Sequence, residues 1–255
     1  MIKNFIFLRT FFLQSLWNFE RLQNIGFLYI LYPVIKSLYK DKEERKKVLL
    51  RHIGFFNTNP YMANIIIAMV INAENNIASG QEQNIKKPEM IKSVLAGPVA
   101  AIGDSFFWGT WRPFVSFIAI LLIILSMNMF SVNFLWIAPI IFIVLYNVVH
   151  IAFRYWSLIV SFRLNDKMIK IVSKLEIKFM GDIFRIVGLI IITLAIFFYF
   201  KTFGFVSAIE TELHRFDVLI YGAILLISFL FGRIRPVIMF YFALIFSFIL
   251  GYLGI

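Results

Sequence analysis

The order of apolar and polar stretches along the chain predicts a protein built from membrane-spanning helices. A helix that crosses the hydrocarbon core of a bilayer needs about 20 largely apolar residues. Five stretches come close to that length: Pro113–Phe130, Val132–Phe153, Ile183–Phe200, Phe216–Gly232 and Pro236–Ile255. The pattern therefore predicts an all-α integral membrane protein with about five transmembrane helices.

The first 112 residues carry shorter apolar stretches between polar ones. Residues 36–52 are rich in Lys and Arg, which predicts a solvated helix. The stretch Gln14–Asn24 predicts an amphipathic helix, since at 100° per residue Trp17, Glu20, Gln23 and Asn24 share one face. That face is rich in amides rather than in Lys and Arg. It therefore favours contacts with a ligand or a partner over the alternative, a helix lying on the membrane surface.

Two apolar segments in this region are too short to span a membrane. Met62–Ala73 would be a helix of roughly 18 Å, against a hydrocarbon core of about 30 Å. Ser93–Gly103 is interrupted by Gly97 and Pro98. Both segments are predicted to be short re-entrant or interfacial hairpins. We interpret 1–255 as a single membrane domain, with 1–112 as an amphipathic and re-entrant substrate-site region and 113–255 as the transmembrane helical region.

Short apolar segments interrupted by Gly and Pro are the best pointer in a sequence to a transporter's binding site. Polar residues flank both segments here, and the candidate ligands are Asn57, Thr58, Asn59, Asp104 and Trp108. Carboxylates and amides pair with sugar hydroxyls, and an indole ring packs against the C–H face of a sugar. The alternative is that Asp104 caps a helix beginning near Ser105 and that Trp108 is an interfacial anchor.

Composition supports the membrane class. Of the 255 residues 61% are hydrophobic and 15% are charged, against about 45–50% and about 25% in soluble domains, and the mean hydropathy is +0.85. The net charge of +11 is explained by Lys and Arg in cytoplasmic loops rather than by nucleic-acid binding.

No signal peptide is predicted, because Arg9, Gln14 and Glu20 interrupt the first apolar run.

The distribution of basic residues predicts the orientation. The loop between Arg154 and Arg185 and the turn at Arg233 and Arg235 are basic, whereas the turn around Ser131 has no basic residue. Alternating these loops across five spans puts the basic ones in the cytoplasm. The N-terminus is then cytoplasmic and the C-terminus outside.

No catalytic motif occurs in the sequence. It has no cysteine and no phosphate-binding glycine loop, and His52, His150 and His214 lack metal-ligand spacing. We predict neither a metal site nor a cofactor, and we expect each histidine to be structural or interfacial.

Three ordered stretches resemble the IID membrane subunits of mannose/fructose/sorbose-type phosphotransferase systems (PTS). They are residues 14–24 (QSLWNFERLQN), Arg51-His52 through 56–61 (FNTNPY), and the 17 residues 97–113 (GPVAAIGDSFFWGTWRP); a weaker fourth is Phe153-Arg154-Tyr155-Trp156. The chain departs from the family where relatives commonly have His at the position of Asn59 and acidic residues around Glu74-Asn75-Asn76.

The resemblance implies a transport subunit in the bacterial cytoplasmic (inner) membrane. Together with a IIC membrane subunit it would bind and translocate a hexose or an amino sugar, in an oligomer of IIC–IID pairs within the lipid bilayer. A cytoplasmic IIB protein, itself phosphorylated by IIA, would then phosphorylate the sugar, so that this chain is no enzyme on its own. The substrate-binding candidates are then Glu20, Gln23, Asn24, Asn57, Thr58, Asn59, Asp104 and Trp108. The alternatives are a structural or assembly membrane protein and a stand-alone secondary transporter.

Overall fold

A computed structural model describes residues 2–129, 135–174 and 177–203 of the chain. All regular elements among these residues are helical. They are α1 (Ile2–Thr10), α2 (Asn24–Leu38), α3 (Lys42–His52), α4 (Ala63–Ala78), α5 (Lys87–Gly103), a π-helical segment (Asp104–Trp111), α6 (Arg112–Met129), α7 (Ile137–Leu164), α8 (Lys167–Lys174) and α9 (Ile177–Phe203). In the described part of the chain β-pairing is limited to isolated bridges that join Asn18, Leu22 and Phe56.

The chain divides into two compact units, Met1–Leu194 and Ala195–Ile255. The first unit holds every candidate site residue. Of the second unit only residues 195–203 are described, as the end of α9. The predicted spans Phe216–Gly232 and Pro236–Ile255 lie outside the described residues.

Helix α4 is the centre of the first unit. From Ala63 to Ile71 every one of its side chains is buried, as expected for a helix that is apolar on all sides. It packs against α2, α5 and α7. The segment Met62–Ala73 is therefore the core around which the other helices are arranged.

The hairpin prediction for the two short segments is wrong. Met62–Ala73 lies almost entirely in the unbroken helix α4, and Ser93–Gly103 lies in α5. Helix α5 continues through the π-helical segment into α6, and the apolar helix Lys87–Met127 has 41 residues. Pro98 does not break it, because the carbonyl that loses its helical hydrogen bond belongs to Val94, an exposed residue.

The amphipathic helix predicted over Gln14–Asn24 is also wrong. Helix α1 ends at Thr10, and the backbone of Asn18 pairs with that of Leu22 in both directions, at 3.1 and 2.9 Å. Leu22 has a φ of 57°, which a helix does not allow. The cause is local: the Asn18 side chain accepts a hydrogen bond from the Arg21 amide at 2.8 Å and so competes with helix formation.

Two described helices are long and apolar enough to cross a membrane, Lys87–Met127 and Ile137–Leu164. The first contains residues 113–127 of the predicted span Pro113–Phe130, and the second contains residues 137–153 of the predicted span Val132–Phe153. Helix α9 contains the predicted span Ile183–Phe200. Helix α7 runs beyond the predicted end at Phe153, because Arg154 faces the protein interior and donates to the Thr10 carbonyl at 3.3 Å. An exposed apolar stripe follows the other side of α7: Ile137, Ile140, Ile143, Val144, Val148, Ile151 and Tyr155.

Helix α2 is a 15-residue apolar helix that was not predicted from the sequence. Its buried face includes Gly26, which lies directly against the backbone of Leu13. A side chain at position 26 would collide with the Leu13 carbonyl oxygen. The turn after α1 can therefore pack on α2 only because residue 26 is glycine.

We predict that Gly26→Ala lowers the free energy of unfolding by at least about 1–3 kcal/mol, the usual cost of forcing extra atoms into a packed site. Gly97→Ala is the matched control, because the added Cβ meets no atom within 4 Å and alanine favours the helix by about 0.5–1 kcal/mol. Thermal unfolding of the detergent-solubilised variants measures both effects. Equal melting temperatures would contradict the close approach at Gly26.

Candidate functional site

Two of the predicted site residues meet across 45 positions of sequence. The side-chain nitrogen of Asn59, in the link between α3 and α4, donates to Asp104 Oδ1 at 2.8 Å. The other end of the same amide, Asn59 Oδ1, accepts from the Tyr61 backbone at 2.9 Å. Because both ends of the amide are used, its orientation is fixed, and its nitrogen faces the Asp104 carboxylate.

Gly103 makes this contact possible. A Cβ built at position 103 would lie 2.5 Å from both Cβ and Cγ of Asn59. Only a residue without a side chain lets the α3–α4 link approach the helix this closely. The glycine directly before Asp104 thus serves close packing and does not interrupt the helix.

The π-helical segment presents Asp104 and Trp108 together. Asp104 and Trp108 are exposed, whereas Phe107 and Trp111 are buried. With more than four residues per turn, positions 104 and 108 lie near one another on the same face. Thr110 Oγ1 donates to the Ser105 carbonyl at 3.0 Å inside the segment.

The capping interpretation of Asp104 is wrong. Its backbone is helical, with φ −67° and ψ −43°, inside a helix that is continuous from α5 to α6. The described hydrogen bond of its carboxylate goes to Asn59 rather than to a free backbone amide. A carboxylate in an apolar helix that does not cap it is expected to have a functional role.

Aromatic rings surround this pair, with Tyr61 at their centre. The Tyr61 ring lies 5.4 Å from the ring of Trp108, 5.0 Å from that of Phe107 and 4.4 Å from that of His150, on which it stacks. Its hydroxyl shares a 2.8 Å hydrogen bond with the Tyr146 hydroxyl. The result is a carboxylate and an amide at the edge of an aromatic surface.

Thr58 and Gln23, two further candidates, hold the α3–α4 link in place. Gln23 Nε2 donates to the Thr58 carbonyl at 2.9 Å, and the Thr58 amide donates to Gln23 Oε1 at 3.1 Å. Thr58 Oγ1 donates to the Ala96 carbonyl in α5 at 3.0 Å. Both side chains are buried, and their polar atoms are used within the protein.

The remaining candidates do not reach Asp104. Asn24 donates to the Ile53 carbonyl at 2.7 Å and accepts from the Asn18 side chain at 2.8 Å. Glu20 lies on the surface and pairs with Arg21 at 2.9 Å. Asn57 is exposed. Of the eight candidates, the structure brings Asn59, Asp104 and Trp108 to one place, with Thr58 and Gln23 as supports.

A buried charge cluster lies further along α4, and it was not predicted from the sequence. Glu74 of α4 is only 1% exposed. Its carboxylate accepts from Arg51 Nε at 3.0 Å, from His52 Nε2 at 2.7 Å and from the Tyr39 hydroxyl at 2.8 Å, and Arg51 Nη2 forms a further ion pair with it. We call Tyr39, Arg51, His52 and Glu74 the Glu74 cluster.

The pKa values within the Glu74 cluster follow from burial and from these bonds. Burial opposes ionisation of Glu74, but the hydrogen bonds from His52 and Arg51 outweigh it and hold the pKa of that carboxyl below its usual value. Burial lowers the pKa of His52, so the neutral ring donates through Nε2. Burial and the charge of Glu74 raise the pKa of Tyr39 to about 12.

Lys92 of α5 completes this arrangement. Its Nζ donates to the His52 carbonyl at 3.1 Å and lies 5.1 Å from the centre of the Phe27 ring.

The sequence contained one signal for the Glu74 cluster: Glu74 directly follows an apolar segment, and a charge near the end of a buried helix requires partners. The partners themselves could not be found without the fold.

We predict that Glu74→Gln lowers the free energy of unfolding by about 3–5 kcal/mol at pH 7.5, because Arg51 then lies partly buried without its carboxylate. The melting temperature of the solubilised protein should fall by roughly 10 °C. Glu82→Gln is the control, since it removes a partly exposed ion pair with Lys87 (2.9 Å) and should lower the melting temperature much less. Equal shifts for the two variants would contradict the role given to the Glu74 cluster.

Curated relatives with similar sequences are components of sugar phosphotransferase systems. The chain is 35% identical over 153 residues to the mannose-specific EIID component of Escherichia coli (strain K12), covering 60% of this chain and 51% of the relative. It is 31% identical over 173 residues to the sorbose-specific EIID component of Lacticaseibacillus casei, covering 68% and 58%. The fructose permease IID component of Bacillus subtilis (strain 168) is 33% identical over 153 residues, covering 60% and 53%. The chain spans about half the length of the curated relatives it matches.

Two solved structures have a similar fold. One, described as a membrane protein, has a TM-score of 0.65 and 30% identity, covering 75% of this chain and 68% of the other. The second is the cryo-EM structure of the mannose transporter ManYZ in complex with microcin E492, with a TM-score of 0.57 and 27% identity over 99% of this chain and 94% of the other.

The family profile of the "PTS system mannose/fructose/sorbose family IID component" matches residues 2–255. This match covers nearly the whole chain and agrees with the helical fold, the apolar spans and the named relatives. The chain therefore belongs to the mannose/fructose/sorbose family of phosphotransferase-system IID membrane components.

Proposed function

We propose that this chain works with a IIC membrane subunit to bind a hexose or an amino sugar and move it across the bacterial inner membrane. The sugar is phosphorylated by a cytoplasmic IIB protein that receives its phosphoryl group from IIA. The observation that carries the proposal is the Asn59–Asp104 pair beside Tyr61 and Trp108, in a chain of the IID family. A carboxylate, an amide and an indole face are groups that recognise a sugar.

In this proposal the chain is a transport subunit rather than an enzyme on its own. The phosphoryl group passes from IIB directly to the bound sugar, and this chain holds or releases the sugar. No histidine in the described site is placed to carry a phosphoryl group: His52 is fully buried against Glu74, and His150 is stacked on Tyr61.

The IIC partner is supported by the relation to the mannose transporter ManYZ, whose structure this chain matches over most of its length. The exposed apolar stripe of α7 gives such a partner, or lipid, a surface to cover. We further propose that IIC–IID pairs assemble into an oligomer.

The eight candidate residues take different roles. Asp104 and Trp108 contact the sugar, and Asn59 positions Asp104. Thr58, Gln23 and Asn24 fix the backbone that carries Asn59. Glu20 and Asn57 are exposed and contact the sugar or the part of the site that the IIC subunit supplies. On this proposal 1–112 is the substrate-site region, and 113–255 is the transmembrane region.

We predict that Asp104→Asn lowers sugar phosphorylation by the assembled complex by roughly tenfold or more, because a hydrogen bond to a charged group contributes about 1.5–3 kcal/mol. The yield of the complex should not change. Asp166→Asn is the control, since it neutralises an exposed carboxylate that pairs with Lys87 at 3.1 Å. The measurement is phosphoenolpyruvate-dependent sugar phosphorylation in membrane vesicles, normalised to the amount of complex.

The same assay tests Glu20 through Glu20→Gln, which should also lower phosphorylation. If only Asp104→Asn does so, Glu20 is not part of the sugar site. If both variants assemble and phosphorylate sugar normally, the chain is a structural subunit without a sugar site.

We also propose that the N-terminus is cytoplasmic and the C-terminus outside. The chain has no cysteine, so single cysteines report topology without background. In spheroplasts a membrane-impermeant maleimide should label Glu210→Cys, which lies between the predicted spans Ile183–Phe200 and Phe216–Gly232 and is outside in this orientation. It should label Lys47→Cys only after lysis. The reverse labelling pattern would show that the orientation is inverted.

A further inference from the structure

A groove between α2 and α3 is not used by the proposed sugar site. Its volume is about 510 Å³, within the range of small-ligand pockets. The residues that line it come from α2, from α3 and from the position just after α3: Leu28, Tyr32, Lys42, Glu43, Arg45, Lys46, Leu49, Leu50 and Ile53.

The groove has a basic end and an apolar end. Asn24 at the start of α2 bonds to Ile53 just after α3 (2.7 Å), and Arg45 near the start of α3 bonds to the Tyr39 carbonyl after α2 (3.5 Å). The two helices therefore run in opposite directions. This places the apolar residues together at one end of the groove, next to Leu28, and the basic residues at the other, next to Tyr32.

The basic end carries three cations and one carboxylate, those of Lys42, Arg45, Lys46 and Glu43. Within the described residues no ion pair involves Lys42 or Lys46, and both are exposed. Arg45 has its long bond to the Tyr39 carbonyl. The excess of positive charge is open to an anion from outside the protein.

An apolar surface continues from the groove along α2. Ile25, Tyr29 and Tyr32 are 41%, 39% and 43% exposed and follow one another at helical spacing on one face. Tyr32 belongs both to this face and to the groove. Tyrosines on an exposed apolar helix face are typical of the membrane–water interface.

We propose that the α2–α3 groove binds one anionic phospholipid. Its phosphate lies against Lys42, Arg45 and Lys46, and the upper part of an acyl chain lies along Leu28, Leu49, Leu50 and Ile53. A soluble acidic partner would explain the exposed cations. It would not explain why the apolar residues of the groove and of the α2 face are exposed beside them. This inference depends on the membrane character of the family and not on the sugar site, so either can fail alone.

The test is native mass spectrometry of the full chain, with any subunit that accompanies it, after exchange into detergent containing dioleoyl phosphatidylglycerol or dioleoyl phosphatidylcholine. We expect one retained phosphatidylglycerol and weaker retention of phosphatidylcholine. In the double variant Lys42→Gln/Lys46→Gln the apparent affinity should fall by about fivefold for each lysine.

Lys40→Gln/Lys47→Gln is the matched control, because it removes the same charge from exposed positions outside the groove. It should change the affinity much less. Leu50→Gln alters an exposed side chain and should weaken dioleoyl phosphatidylglycerol binding without affecting a water-soluble, short-chain phosphatidylglycerol.

Three outcomes would overturn the proposal. Equal losses in the two double variants would show a general effect of surface charge. Full competition by free glycerol phosphate would show an anion site that needs no lipid. Loss of a co-purifying acidic protein from the groove variant, with lipid retention unchanged, would assign the groove to that protein.

Discussion

The rest of the first unit depends on the burial of the Glu74 carboxylate. A single carboxylate inside a protein is costly unless its charge is matched and its oxygens are bonded. Here three side chains from two other parts of the chain, Tyr39, Arg51 and His52, converge on it, and Lys92 ties the backbone of His52 to α5. The one residue thus determines how α2, α3 and α5 approach α4. Apolar packing is not directional, whereas the hydrogen bonds to Glu74 require their donors at defined positions around α4.

The end of α3, held by Glu74, leads directly into the α3–α4 link that carries Asn59. His52 is held by Glu74, and six residues later Thr58 is held by Gln23 on one side and by the Ala96 carbonyl on the other. Asn59 comes next and donates to Asp104. The carboxylate that faces the proposed sugar is therefore oriented through a series of bonds that begins in the buried charge cluster. In this way an exposed pair of polar side chains is held by buried groups that lie outside the pair.

The sequence predicted the helical membrane class and most of the first spans, because these depend on local apolar runs. It also selected Asn59, Asp104 and Trp108 as candidate ligands, and the structure brings these three to one place, whereas their role in sugar binding stays a prediction. It failed where tertiary contacts or backbone competition decide. The Asn18 side chain bonds to a nearby amide and prevents the helix that the polar pattern of 14–24 predicts. Gly97 and Pro98 look like a break, yet the helix continues because the unpaired Val94 carbonyl belongs to an exposed residue. The Glu74 cluster joins residues 22 to 35 positions apart, and no periodicity records such a set.

The close approach of Gly103 to Asn59 makes the two positions dependent on each other during evolution. A Cβ at position 103 would lie 2.5 Å from Cβ and Cγ of Asn59, so with the backbone in this position a chain with any residue other than glycine at 59 must keep glycine at 103. Only a change at 59 to glycine, which has no Cβ, would free position 103 to vary, and that change would also remove the partner of Asp104. Position 103 can therefore change only after position 59 has changed. This order restricts the paths by which relatives of this chain can acquire a different side chain beside the Asp104 carboxylate.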